Sequence, residues 1–170
     1  MGAGHTGLYV IMGVSGSGKS LIGAQLGAAL QIDFVEGDDL HPPENVQRMA
    51  AGVPLTDDNR RGWLLRIAAR LHDAQRARIG LVVSCSALKR IYRDLLRSSG
   101  SRDVQFVYLA GSRELLAERL AKRVGHFMPA SLLESQLAIL EEPSPDEHAW
   151  VCDIRETPDA IVAELVRRAA

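Results

Sequence analysis

The chain of 170 residues has little of what marks several protein classes. It carries only two cysteines, Cys85 and Cys152, far apart and each within an apolar run. That pattern speaks against a disulfide framework or a thiolate metal site and for reduced core thiols. Neither sign of charge is in excess. With 20 Lys and Arg against 21 Asp and Glu, the net charge of −1 leaves no electrostatic footprint for nucleic acid or an anionic membrane. No apolar run approaches the roughly 20 residues needed to span a bilayer, and residues 1–7 lack the basic and apolar regions of a signal peptide. The expected location is cytoplasmic. His5, His72 and His148 read as surface groups, and no His/Cys/Asp spacing suggests zinc. There is no internal repeat, low-complexity tract or linker, so a single domain over 1–170 is expected. An Asn-Lys-x-Asp segment is missing, and the run ending in Ser84-Cys85-Ser86 has no aspartate to hold metal. Both absences count against a nucleotide-binding switch.

What is present centres on Gly13-Val14-Ser15-Gly16-Ser17-Gly18-Lys19-Ser20, which matches G-x-x-x-x-G-K-[ST]. The apolar run Leu8 to Met12 precedes it and a helix-like run to Leu30 follows. Strand, glycine loop and helix bring backbone N–H groups and a helix N-terminus onto an anionic phosphate. Gly13, Ser15, Gly16, Ser17 and Gly18 form the nucleotide cradle, Lys19 reaches the β- and γ-phosphates, and the Ser20 hydroxyl is the candidate magnesium ligand. The expected cofactors are ATP and Mg2+.

Strand-like runs alternate with helical patterns along the rest of the chain, which predicts a parallel sheet with helices on both faces. Further strands are expected at Ile32 to Glu36, Leu81 to Cys85, Val104 to Leu109 and Trp150 to Ile154. Thr56 is the expected N-cap of a long helix whose buried face is Trp63, Leu64, Ile67, Ala68 and Leu71. Arg60 and Arg61 near its start oppose the helix dipole, so at least one of them is expected to serve a ligand. Ser86 is expected to cap the helix carrying Lys89, Arg90, Tyr92 and Arg93. Ser131 with Glu134 reads as a capping box, and Glu141 to Glu147 as a surface loop.

Ligands of a parallel sheet bind beyond the carboxyl ends of its strands. The loops after the second and third strands should therefore hold the phosphoryl acceptor, with Asp38, His41, Arg48, Arg60, Lys89 and Arg93 as their polar inventory. Asp38 stands where a carboxylate accepts a proton from an acceptor hydroxyl or holds magnesium through water, and an Asx-type turn is the alternative. Arg119 and Arg123 share a helix face ahead of a loop with Gly125, His126 and Pro129. This gives either a lid over roughly 120–136 supplying cations to the transferring group, or a solvated charged face.

The glycine loop, Gly37-Asp38-Asp39-Leu40-His41-Pro42, Asn45, the Met49 to Leu55 segment, Asp57-Asp58-Asn59-Arg60 with Trp63, and Cys85-Ser86-Ala87-Leu88-Lys89-Arg90-Ile91-Tyr92-Arg93-Asp94 together resemble the gluconate kinases of the bacterial, thermoresistant type. Gly125-His126-Phe127 and the Gln136 to Pro143 segment continue the similarity over nearly the whole chain. The resemblance implies transfer of phosphate from ATP to D-gluconate, a nucleoside-monophosphate-kinase-like α/β fold of three layers with sheet order 2-3-1-4-5 and a helical lid, magnesium, and a homodimer. It implies Asp38, His41, Arg60, Lys89 and Arg93 at gluconate, with Arg48, His126 and Gln136 in the same substrate set. Arg119 falls at the nucleotide and Arg123 at the lid, so that Lys19, Asp38 and Arg123 are the catalytic set. Shikimate-type kinases would use the same loop and lid around a different acceptor pocket.

Overall fold

Every residue of the strand β1 (Leu8–Met12) is buried, and the sheet is built outward from it. The computed structural model describes residues 4–98, 103–123 and 131–170. The other strands are β2 (Asp33–Glu36), β3 (Leu81–Ser84), β4 (Val104–Ala110) and β5 (Trp150–Asp153). All pairings are parallel, in the order β2-β3-β1-β4-β5. This is the order that the resemblance implies.

Alternation along β1 divides the core. Leu8, Val10 and Met12 face one side with Leu81, Val83 and Phe106, where α3 (Asp57–Ala77) and α4 (Arg90–Ser98) cover them. Tyr9 and Ile11 face the other with Val82, Val107 and Leu109, under α1 (Lys19–Leu30), α5 (Arg113–Ala121) and α7 (Pro158–Ala169). Three layers result because a parallel sheet needs both faces covered. Cys85 and Cys152 are free thiols buried in these cores. The shorter α2 (Pro43–Ala50) and α6 (Ser131–Ile139) are joined by a small apolar cluster of Met49, Leu55 and Leu132, and α6 also sends Leu133 into the second core. Among the described residues, no helix is long and apolar enough to cross a membrane.

Several helix ends follow the sequence. Thr56 Oγ1 accepts from the Asn59 N–H and Asn59 Oδ1 from the Thr56 N–H, each at 3.1 Å, closing a capping box on α3. Thr157 caps α7 ahead of Pro158. Two expected caps are corrected. Residues Ser86 to Lys89 are not helical, Ala87 has φ 45°, and the N-terminal N–H of α4 at Arg90 donates instead to Glu141 Oε1 at 2.8 Å. Ser131 is the first helical residue of α6, and Glu134 pairs with Arg113 across to α5. His5 and His72 are half-buried rather than on the surface, His5 against the Tyr9 hydroxyl at 2.7 Å.

Candidate active site

The loops after β1, β2 and β3 meet at one end of the sheet. Gly18 enters α1 with φ 95°, a left-handed conformation that glycine adopts without penalty. The first N–H groups of α1 have no preceding carbonyls within the helix, which makes this end an anion site. Lys19 Nζ folds back to 3.1 Å from the Val14 carbonyl, and Ser17 Oγ is buried without a hydrogen-bond partner among the described residues. Gly16 lies against Leu116 and Leu120 of α5. Burial draws the Lys19 ammonium below its ordinary pKa, Asp38 and Glu36 resist, and the Arg123 guanidinium adds to the lowering. The acceptor-side carboxylate and the lid-side arginine therefore each act on the loop lysine. Cys85, nearby, is pushed up to about 12 by burial and stays a neutral thiol.

Asp38 follows a junction held from three directions. A Cβ on Gly37 would stand 1.9 Å from the Ser84 carbonyl oxygen, so only glycine lets β2 pass so close to β3. The Gly37 N–H donates to Ser84 Oγ at 3.1 Å, and Ser84 Oγ donates to Glu36 Oε1 at 2.5 Å. The Trp63 indole N–H donates to the Gly37 carbonyl at 2.7 Å. Asp38 then opens into the cleft together with Lys19, Ser15, Ser86 and Arg60, which line one pocket. Asp39 is exposed.

Helical spacing explains why Arg60, and not Arg61, reaches this pocket. Arg60 continues the stripe Trp63, Leu64, Ile67 and Leu71 that α3 presents to the core, and lies at its upper end, whereas Arg61 is exposed. Arg60 is only 8% exposed, and its guanidinium donates to the Leu55 carbonyl at 2.7 Å and the Tyr92 hydroxyl at 3.2 Å. Tyr92 in turn donates to Asp57, which also accepts from Lys89 Nζ at 3.0 Å. A hydroxyl whose proton is committed to Asp57 turns a lone pair to Arg60, so this chain of contacts fixes the guanidinium plane. His41, buried beside it, stacks on Trp63 with centroids 4.0 Å apart and planes 16° from parallel. Arg48 is exposed on α2 and donates to Asn45 Oδ1 at 3.3 Å.

Helix α6 closes the pocket from the far side. Gln136 Oε1 accepts from the Ser15 N–H at 2.8 Å, a direct bond from α6 to the glycine loop. Arg119 lies on α5 beside the loop and donates to the Ile154 carbonyl at 2.5 Å. Arg123 is exposed and lies two residues past the end of α5, so it does not share a helix face with Arg119 as expected. The loop of Gly125, His126 and Pro129 lies outside the described residues, and with it the body of the expected lid.

Arg93 is the clear departure. Expected beside Lys89 on the acceptor, it is instead fully buried, with Nε 2.7 Å from Glu147 Oε1 and Nη1 2.8 Å from the Ala87 carbonyl. Lys89 turns to Asp57, and the two cations diverge. Conversely, Trp63, Tyr92, Asp57 and Asn45 hold the site together, although spacing marks them only as core or helix-end residues. The one sequence signal for them is that each falls within the segments that carry the resemblance.

The AAA domain family matches residues 8–143. Gluconokinase of Gluconobacter oxydans is 47% identical over 158 residues, covering 93% of this chain and 88% of that protein. Thermoresistant gluconokinase of Escherichia coli is 41% identical over 160 residues, covering 94% and 91%. The crystal structure of a gluconokinase from Sinorhizobium meliloti matches with a TM-score of 0.86 at 48% identity, covering 97% of this chain and 94% of that one.

Proposed function

The chain belongs to the gluconokinase family, and from that premise we propose that it transfers the γ-phosphoryl group of ATP to the 6-hydroxyl of D-gluconate, giving ADP and 6-phosphogluconate. One observation carries the assignment of roles: the loop lysine Lys19, the carboxylate of Asp38 and the buried cation Arg60 line a single pocket. In this scheme the glycine loop and the start of α1 bind the ATP phosphates through backbone N–H groups, and Lys19 holds the charge of the β- and γ-phosphates. Asp38 orients the 6-hydroxyl and takes its proton as the new P–O bond forms and the bond to ADP breaks. Arg60, locked by Leu55 and Tyr92, offers its remaining N–H groups to the gluconate carboxylate or hydroxyls, with His41 beside it. Arg123, whose charge acts on Lys19, approaches the transferring group from the lid side.

The donor set suits magnesium, since Ser20 is exposed at the start of α1 and the carboxylates of Asp38 and Glu36 both act on neighbouring Lys19. Hard oxygen ligands of this kind, with phosphate and water, are what Mg2+ takes. Ser20 and Asp38 would hold the ion, directly or through water. When bound it neutralises charge on the phosphate oxygens. Action as a single kinase domain, the homodimer and the cytoplasmic location belong to the same proposal, and light scattering on the purified protein tests the dimer.

A coupled assay across a panel of sugar acids and shikimate, with ATP and with GTP, tests the activity. ADP formation is expected with ATP only when gluconate is present. Turnover on shikimate in preference to gluconate, or acceptor-independent GTP hydrolysis, would overturn the assignment.

A further inference from the structure

The side-chain amide of Asn45 has neighbours whose requirements fix which end is oxygen and which is nitrogen. Arg48 Nη1, which can only donate, lies 3.3 Å from Oδ1, while the Asn59 carbonyl, which can only accept, lies 2.8 Å from Nδ2. The two ends cannot be exchanged without breaking both contacts. Nδ2 also lies 3.2 Å from Nδ1 of His41. An amide nitrogen carries two hydrogens, one here for Asn59 and one for His41, so Nδ1 must present its lone pair. In a neutral imidazole the proton then resides on Nε2. We propose that Asn45 is a positioning residue that holds His41 as the Nε2–H tautomer, so that His41 serves the acceptor as a hydrogen-bond donor and not as a general base.

The consequence for the reaction is specific. The only basic nitrogen of a neutral Nε2–H ring is Nδ1, which Asn45 occupies, so no lone pair of His41 remains for the attacking hydroxyl. The ring cannot readily turn to offer one, because it is stacked on Trp63 and only 8% exposed. Protonation is opposed too: burial, and then the Arg60 guanidinium from α3, bring His41 down to about 4. Arg48 on α2 adds a second cation on the far side of Asn45. Arg60 and Nε2–H are both donors, which suits oxygen lone pairs on a carboxylate or hydroxyl and leaves proton removal to Asp38. This role rests on the placement of His41 in the gluconate pocket proposed above.

Two-bond 1H–15N correlation spectra of the full-length protein, with histidine labelled and His41 assigned by His41→Gln, read the tautomer directly. An Nε2–H ring whose signals stay unchanged from pH 8 to about 6 is expected. Added gluconate should move the Nε2–H proton resonance, and the nucleotide alone should not. In Asn45→Asp the carboxylate accepts, so the proton should transfer to Nδ1, with the His41 midpoint rising and the gluconate KM increasing by about tenfold or more while the ATP KM stays the same. An Nδ1–H ring in the wild-type protein, or a titration near 6.5, would overturn the proposal whether or not the variant folds. The expected tautomer with no response to gluconate would uphold the role of Asn45 and instead overturn the placement of His41 at the acceptor.

Discussion

Trp63 shows how much of the site a single side chain can carry. Its N–H fixes the Gly37 carbonyl just ahead of Asp38, and its ring face supports His41. Trp63→Phe keeps an aromatic face but leaves a buried carbonyl unpaired, a loss of about 1–3 kcal/mol. Its expected effect is a lower kcat at nearly unchanged ATP KM, together with a lower melting temperature; an unaltered kcat would detach the indole from Asp38. Asp38 itself separates catalysis from turn formation. Asp38→Asn keeps shape and turn chemistry but removes the charge, so kcat should fall by about a hundredfold or more while melting is preserved. Activity retained in a folded Asp38→Asn enzyme would move the base elsewhere in the cleft. The placement of Lys19, Asp38 and Arg60 was legible in the sequence because a motif, a strand end and a helical stripe each supply a position. The inward turn of Arg93 was not, since it depends on Glu147, which lies 54 residues away in sequence.

At the scale of elements, α4 is held by the loop that follows α6. Glu141 accepts its first N–H, and Glu147, with its side chain 1% exposed, pairs with both Arg93 and Arg97. Glu141 to Glu147 reads as a polar surface loop because periodicity reports neighbours along the chain and not partners across it. The same limit explains the misassigned cap at Ser86. Burial pushes the Glu147 carboxyl upward, but hydrogen bonds from Arg93, the Ser144 amide and Arg97 outweigh it and bring the group down to about 2. A carboxylate with a folded value below its ordinary 4.5 adds stability that is complete above about 4.5 and is lost as pH falls from there through 2. Glu147→Gln removes the charge partner of the buried Arg93, at a cost of about 3–5 kcal/mol, while Arg97, partly exposed, keeps its ion pair with Asp94. Melting scans should show a lower transition at pH 7 and a flatter acid limb than wild type. Parallel acid limbs in the two proteins would assign the acid sensitivity to other carboxylates.

At the scale of the whole molecule, the topology puts the groups proposed to act in the site on separate pieces of chain: Lys19 on α1, Asp38 in the turn after β2, Arg60 on α3 and Gln136 on α6. Strand alternation and the glycine loop made the sheet and its ligand end legible from sequence, whereas spacing gives no signal for the bond from the Ser15 N–H to Gln136 that joins α6 to the loop. Because bound substrates would tie these elements together, binding should raise the stability of the whole fold by mass action. A ligand at a hundredfold excess over its Kd contributes about 2.7 kcal/mol, or about 5–10 °C in Tm for a chain of this size. A non-hydrolysable ATP analogue and gluconate should each raise the melting temperature of the wild-type protein. Lys19→Ala removes the cation at the phosphates and leaves the acceptor wall of Arg60, Tyr92 and Asp57 untouched, so the nucleotide shift should shrink while the gluconate shift persists. If Lys19→Ala abolished both shifts with its own melting intact, the two substrates would bind as one coupled unit, and the division of the cleft into a phosphate half and an acceptor half would fail.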